Sequence, residues 1–182
     1  QYCAGQTART NMVTNKGWTI TGDTHDCSCP SVATVTEEMT WTGTVSTDWA
    51  NACNWSPNGV PTATNPVNIP NVANDPVISG TATCLWITNA GNLTINSSGA
   101  LTVTTDAIVA RGIVVESNST LTNNGTLTAT TSNSVFVILL NDNATFNNSG
   151  TTTLASAAGS CILFSSNNCT FTNTSTGIVN LQ

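Results

Sequence analysis

Short apolar segments recur at a fixed spacing along the second half of the chain. Four of them begin at Asn92, Asn118, Asn143 and Asn168, so the steps are 26, 25 and 25 residues. Each reads Asn-x-Thr followed by Ile, Leu or Phe. A repeat of this length is typical of solenoids, in which each unit buries its apolar face against its neighbours.

Each repeat carries three apolar segments, separated by corners rich in Asn, Gly and Ser. Segments at 67–69, 77–78 and 85–87 return about one period later at 93–95, 101–103 and 109–115. Asn, Gly and Ser tolerate the unusual backbone angles of tight corners. Three strands in a rung of about 25 residues predict an all-β fold, a parallel β-helix of about five rungs over residues 65–182.

Two other folds fit this pattern less well. A β-sandwich has strands at a spacing of about 8–12 residues but no register that returns once per long repeat. A leucine-rich horseshoe has a similar period, but its Leu-x-x-Leu-x-Leu-x-x-Asn order is absent from this chain.

Residues one period apart are expected to stack into columns along the solenoid axis. The predicted inward columns are Ile95, Leu121, Phe146, Phe171 and Val103, Ala129, Leu154, Val179. A glycine column comprises Gly99, Gly125 and Gly150, with Ser175 in the fourth repeat. The third face is more apolar than the other two and is expected to place apolar side chains outward as well, among them Val135, Val137 and Leu139. Such a surface predicts a cover, either the residues before the rungs or another subunit.

The clearest polar column is Asn92, Asn118, Asn143 and Asn168. Regular spacing at a corner favours a ladder of stacked amides, as in cross-β arrays, over a row of carbohydrate contacts. A second candidate ladder is formed by Ser97, Asn123, Asn148 and Asn173.

The residues before the rungs divide into a small N-terminal unit, 1–31, and a tryptophan-rich connector, 32–64. The characteristic residues of the second part and of the first strands are Trp41-Thr42-Gly43, Trp49, Asn54-Trp55, Val60-Pro61, Val67-Asn68-Ile69-Pro70 and Pro76-Val77-Ile78. This order resembles the N-terminal module of secreted, adhesin-like β-helical surface proteins of Bacteroidetes-type bacteria. The resemblance implies a non-catalytic extracellular surface protein and assigns no binding residue.

Charge and cysteine content narrow the classes of function. The net charge is −6 with only three Lys and Arg residues, so nucleic acid is not an expected partner. No apolar run approaches the roughly 18 residues of a membrane-spanning helix. Seven cysteines and an N-terminal Gln in place of Met favour a secreted protein that has lost a signal peptide.

The cysteines are expected to form disulfides in an oxidising compartment. Candidate bonds join Cys3 to Cys27 or Cys29, Cys53 to Cys84, and Cys161 to Cys169. Zinc ligation by His25, Cys27 and Cys29 is the weaker alternative, because a fourth ligand at normal spacing is missing. We therefore expect neither a metal nor a cofactor.

Catalysis and ice binding are also weakly indicated. Glu116 and Asp142 are the one carboxylate pair that could stack on neighbouring corners, and glycoside hydrolysis requires such a pair. Outward Thr ranks resemble those of ice-binding β-helices, but here they are short and uneven. We therefore expect a protein that is not an enzyme.

The final segment stops in mid-coil after Ile178, Val179 and Leu181. Solenoids normally require a polar cap, and an open strand edge is a template for another chain. This predicts a structural protein that assembles with itself head to tail into a filament. The alternatives are an adhesin or carbohydrate-binding module whose side contacts glycans, and a fragment of a longer repeat array.

Overall fold

The computed structural model describes residues 11–19, 36–105, 111–132 and 136–182. In chain order the strands are β1 (Met39–Trp41), β2 (Trp55–Ser56), β3 (Pro66–Ile69), β4 (Val77–Ile78), β5 (Thr81–Cys84), β6 (Trp86–Asn89), β7 (Asn92–Ile95), β8 (Ala100–Thr105), β9 (Ile113–Val115), β10 (Thr120–Asn123), β11 (Thr126–Thr131), β12 (Phe136–Leu140), β13 (Thr145–Asn148), β14 (Thr151–Ser156), β15 (Ser160–Phe164), β16 (Thr170–Asn173) and β17 (Ile178–Leu181). The helical elements in these ranges are a π-type turn, Asn11–Asn15, and a 3-10 turn, Ala52–Asn54.

The strands form three sheets that wind around one axis. Sheet A has the order β15-β12-β9-β6-β3-β1-β2, sheet B the order β16-β13-β10-β7-β4, and sheet C the order β17-β14-β11-β8-β5. Neighbouring strands of the described chain pair in parallel, except that β1 and β2 are antiparallel. The predicted parallel β-helix, with three strands per rung and about five rungs, is confirmed.

The core consists of columns of apolar side chains along the axis. In sheet A the column of Met39, Val67, Ile87, Ile113 and Ile138 is fully buried. In sheet B the rings of Phe146 and Phe171 stack with their centroids 5.0 Å apart. Because alternate residues of a strand point to opposite faces, this interior requires an apolar residue at every second position.

The register differs from the predicted one at the first and last steps. Leu121 pairs with Leu93 rather than Ile95, and Leu154 pairs with Leu181 rather than Val179. The corner between sheets B and C explains both shifts. It has four residues at 96–99 and at 174–177 but two at 124–125 and at 149–150, so the two longer corners each displace the repeat by two residues.

Residues 39–56 form the N-terminal end, or head, of the solenoid. β1 pairs in parallel with β3 and β2 pairs with β1, so sheet A begins within the segment predicted to be a connector. Three indoles are buried there: the ring of Trp55 lies edge-on to Trp41 and Trp49, at centroid distances of 4.9 and 4.6 Å. This tryptophan cluster covers the end of the apolar core.

Polar groups fix the loop around that cluster. The Asn54 amide oxygen accepts from the backbone N–H groups of Val45 and Ser46, at 2.9 and 3.0 Å. Its amide nitrogen donates to Asp48 O at 2.9 Å, and Trp41 Nε1 donates to Asn74 O at 2.7 Å. The side chains of the Trp-Thr-Gly and Asn-Trp motifs therefore hold the head together. Most of the predicted unit 1–31 lies outside the described residues.

Gly99, Gly125 and Gly150 form the predicted column, and Gly177 takes the place expected for Ser175. A Cβ at Gly125 would overlap the carbonyl oxygen of Gly99, and one at Gly150 would overlap that of Gly125. Backbone approaches backbone too closely at this corner for any side chain.

We expect Gly125→Ala to lower the free energy of unfolding by about 1–3 kcal/mol, because the added methyl must push two rungs apart. Chemical denaturation followed by circular dichroism measures the change. Gly80→Ala is the matched control, since nothing lies within 4 Å of the place that its added methyl group would take, and it should change stability by less than about 1 kcal/mol. Equal effects of the two substitutions would contradict the packing argument.

Candidate functional site

The predicted ladder is exposed and is not continuous: Asn118, Asn143 and Asn168 lie on a corner, whereas Asn92 is the first residue of β7. Asn143 Nδ2 donates to Asn118 Oδ1 at 3.3 Å, whereas Asn92 Nδ2 donates to Asp75 Oδ2 at 2.8 Å. Asn168 Nδ2 donates to Asp142 Oδ1 at 3.4 Å. Asn118 and Asn143 have φ values of 62° and 57°, which Asn adopts more readily than most residues. Asn118 and Asn143 therefore turn the chain at this corner.

The continuous amide ladder is the second column, inside the solenoid. Asn123 Nδ2 donates to Asn148 Oδ1 at 2.9 Å, and Asn148 Nδ2 donates to Asn173 Oδ1 at 2.7 Å. Thr152 Oγ1 also donates to Asn148 Oδ1, at 2.8 Å. Ile95, not the predicted Ser97, occupies the first position. Asn123 and Asn148 are fully buried, so a ligand does not reach them.

Two of the predicted disulfides are wrong, because Cys84, Cys161 and Cys169 carry free thiols. Cys84 faces the core and is fully buried, whereas Cys53, in the head, is disulfide-bonded. Cys161 Sγ lies 3.7 Å from Leu154 O, and Cys169 Sγ donates to Leu140 O at 3.1 Å, so the two thiols approach different strands. The predicted bonds of Cys3, Cys27 and Cys29 lie outside the described residues.

The predicted outward apolar surface is smaller than expected. Val137 is fully buried and belongs to the core, so its assignment to that surface is wrong. Leu139 does lie on the outer face of sheet A, half-buried, beside Val114 of the preceding strand. Val135 lies outside the described residues. At the start of β12 the side chains of Val137 and Ile138 both enter the core. The alternation of inward and outward side chains along the strand is therefore broken at this point.

A groove on this outer face joins apolar and polar side chains from two neighbouring rungs. Its volume is about 280 Å³, and we call it the outer groove; its lining is Arg111, Val114, Glu116, Phe136, Leu139 and Asn141. Asn141 Nδ2 donates to Glu116 Oε2 at 2.7 Å. The Arg111 guanidinium carbon lies 5.9 Å from the centre of the Trp86 ring, within the range of a cation–π contact.

Glu116 and Asp142, the two carboxylates considered for catalysis, accept hydrogen bonds from different residues. Glu116 accepts from Asn141 in the outer groove, whereas Asp142 accepts from Ser166 Oγ at 2.8 Å and from Asn168 at the next corner. Within the described ranges no group of three or more His, Cys, Asp or Glu side chains could hold a metal ion. Glu116 and Asp142 therefore have separate hydrogen-bond partners among the described residues.

The last rung, β15 to β17, leaves one edge of each sheet unpaired among the described strands. Leu181 is 61% exposed, although its partner one rung earlier, Leu154, is fully buried. Ile178 and Phe164 are 53% and 47% exposed, and Val179 is half-buried. The predicted assembly residues Ile178, Val179 and Leu181 therefore do share one rung, which we call the open rung.

Residues 40–154 match the model of a family described as a domain of unknown function, DUF8693. The chain belongs to this family. The DUF8693 segment starts in β1 and ends in β14, so it includes Trp41, Trp49 and Trp55 of the head and the whole outer groove, and it stops before the open rung. Neither the curated proteins nor the solved structures contain a match to the chain.

None of the described helices is long and apolar enough to cross a membrane. The outer groove was not predicted from the sequence, although Glu116 and Asn141 are 25 residues apart and the period could have brought them together.

We expect Asn148→Ala to cost about 2–4 kcal/mol of stability, because it leaves buried partners of the ladder without hydrogen bonds. Asn168→Ala is the matched control on the exposed corner and should cost less than about 0.5 kcal/mol. Thermal and urea unfolding of both variants provide the comparison. If the exposed substitution were the more costly one, the assignment of the ladder would be reversed.

Burial raises the pKa of the Cys84 thiol, because the interior disfavours the thiolate. The thiolate is the form that reacts with alkylating reagents. In folded protein at mildly alkaline pH we therefore expect iodoacetamide to modify Cys161 and Cys169 and to leave Cys84 unmodified until urea is added. Mass spectrometry of the peptides identifies the alkylated cysteines. Alkylation of Cys84 in folded protein would contradict its buried position.

Proposed function

We propose that this protein is a non-enzymatic extracellular structural β-helix whose open rung pairs with the open rung of a second copy. Within residues 1–182 the side chain of Leu181 is exposed, at the position of a column that is fully buried one rung earlier, and this supports the proposal for the chain of that length. A strand edge with unpaired N–H and C=O groups favours pairing with another chain. Burial of each exposed Leu or Ile would add about 1.5–3 kcal/mol.

The head supports pairing of two open rungs over a head-to-tail stack. Sheet A ends there in the two-residue strand β2, which Pro57 follows. In sheet B, Val77 N donates to Thr47 O at 2.7 Å and Trp49 N donates to Val77 O at 3.2 Å, so residues 47–49 already occupy that edge. Short edge strands and proline discourage further pairing. The head-to-tail filament expected from the sequence would require the head to accept strands, and among the described strands only β5 of sheet C has an unpaired edge there.

The extracellular location rests on independent grounds. Cys53 is disulfide-bonded, and disulfides persist in oxidising compartments. Charged residues make up 7% of the chain, and Thr, Asn and Ser supply most of its outer polar positions. The resemblance of the tryptophan-rich segment to bacterial surface proteins supports the same location. No described residue group favours an enzyme over this structural role.

We expect residues 1–182 to form a dimer at micromolar concentration, and Leu181→Asp to weaken it at least about tenfold, because a charge would replace a buried leucine. Light scattering after gel filtration and sedimentation velocity measure the mass. Val45→Asp is the matched control, since Val45 is 45% exposed in the head, and it should leave the dimer intact.

Three results would contradict the proposal. A monomer at high concentration would show that the open rung does not pair with a second copy. Dissociation caused by Val45→Asp and not by Leu181→Asp would place the contact at the head. A concentration-dependent series of long polymers would instead support head-to-tail assembly.

A further inference from the structure

We propose that the outer groove binds one neutral pyranose ring of a glycan. This inference is independent of the pairing of open rungs, because the groove lies on the outer face of sheet A and its lining residues precede β13. The groove lies within the DUF8693 segment, whereas the open rung lies outside it.

The floor of the groove is apolar. It belongs to a row of paired outward side chains in sheet A whose earlier members are polar. In sheet A this row runs through Asn68 and Thr88 and then becomes Val114 and Leu139, which are paired neighbours. Phe136 adds an aromatic ring to the lining. An apolar floor with an aromatic side chain suits the C–H face of a sugar ring, and pockets of this kind use few polar groups to orient a ligand.

The polar lining provides both acceptors and donors in a fixed arrangement. The 2.7 Å hydrogen bond from Asn141 to Glu116 holds the two side chains together. Each carboxylate oxygen has two lone pairs, and an amide group has one acceptor and two N–H donors. Glu116 therefore keeps acceptor capacity, while Asn141 keeps its oxygen and a second N–H. Adjacent sugar hydroxyls, each both donor and acceptor, match this pair.

Arg111 completes the lining with donors and no acceptor. Its guanidinium lies over the outward ring of Trp86 at 5.9 Å, a contact that limits its rotation. An arginine alone would also suit an acidic sugar. The Glu116 carboxylate in the same groove and the net charge of −6 oppose a negatively charged ligand. The mixed donors and acceptors therefore favour a neutral sugar.

The size of the groove fits a small ligand. At about 280 Å³ it lies near the lower limit for small-molecule pockets, which begin at about 300 Å³. This is room for one ring and its hydroxyls, and a longer glycan would continue along the surface of the rod. We expect weak binding of a single site, because few groups are buried on association.

The test applies the labelled protein to an array of immobilised neutral glycans and glycans that contain uronate or sialate. Titration calorimetry with the free oligosaccharide that binds best then gives its affinity. Asn141→Ala and Glu116→Gln should each lower this affinity by about tenfold or more, because each changes a hydrogen-bonding group of the groove. Asn68→Ala, in the same outward row but away from the groove, is the matched control.

The outcomes separate this proposal from the structural one. Binding to neutral glycans that the two groove variants lose and Asn68→Ala retains, with unchanged melting temperatures and unchanged dimer mass, supports the site. Absence of binding to any neutral glycan would overturn it. Binding confined to acidic glycans and abolished by Arg111→Ala would also overturn it, since the ligand would then be an anion. Unsubstituted protein that stays monomeric at high concentration and still binds neutral glycans would leave only the groove proposal standing.

Discussion

Every strand of a parallel solenoid depends on hydrogen bonds from the rungs on both of its sides. Inside the rod this requirement is met by the next repeat, and the backbone carbonyls of the Gly99 column approach so closely that no side chain fits. At the head it is met in sheet A by a short strand pair packed on three indoles and in sheet B by residues 47–49, whereas β5 of sheet C has no described neighbour on that side. At the open rung it is unmet among the described residues. The asymmetry between these ends is the physical basis for the proposed pairing.

The polar residues of the interior also follow from the requirement that rungs stack. The buried amides of Asn123 and Asn148 are tolerated because they bind each other and the exposed Asn173 from rung to rung. An amide ladder of this kind satisfies polar atoms only if the neighbours are in register. The ladder therefore favours one register of the rungs, which apolar columns alone would fix less strictly. The exposed column at Asn118 and Asn143 contributes a backbone conformation instead.

The period of the sequence was sufficient to predict the fold, because about 25 residues and three apolar segments leave few architectures open. It could not give the register at the ends, since Asn92 and Asn118 begin similar segments, but Asn92 starts β7 whereas Asn118 lies two residues before β10. The disulfides failed for a related reason: a cysteine such as Cys84 fits a small inward position as well as any apolar residue. The outer groove depends on side chains of two rungs, and single segments carry no sign of it.

The corner between sheets B and C has an evolutionary and engineering consequence. In every rung of the described chain it contains two or four residues, and never three. Because side chains alternate between the two faces of a strand, an even change in length moves the register and keeps inward residues inward, whereas an odd change would turn the next strand inside out. Insertions of residue pairs at 124–125 or 149–150 are thus the length variants that this rod can accept, and such sites could carry grafted peptides along one edge.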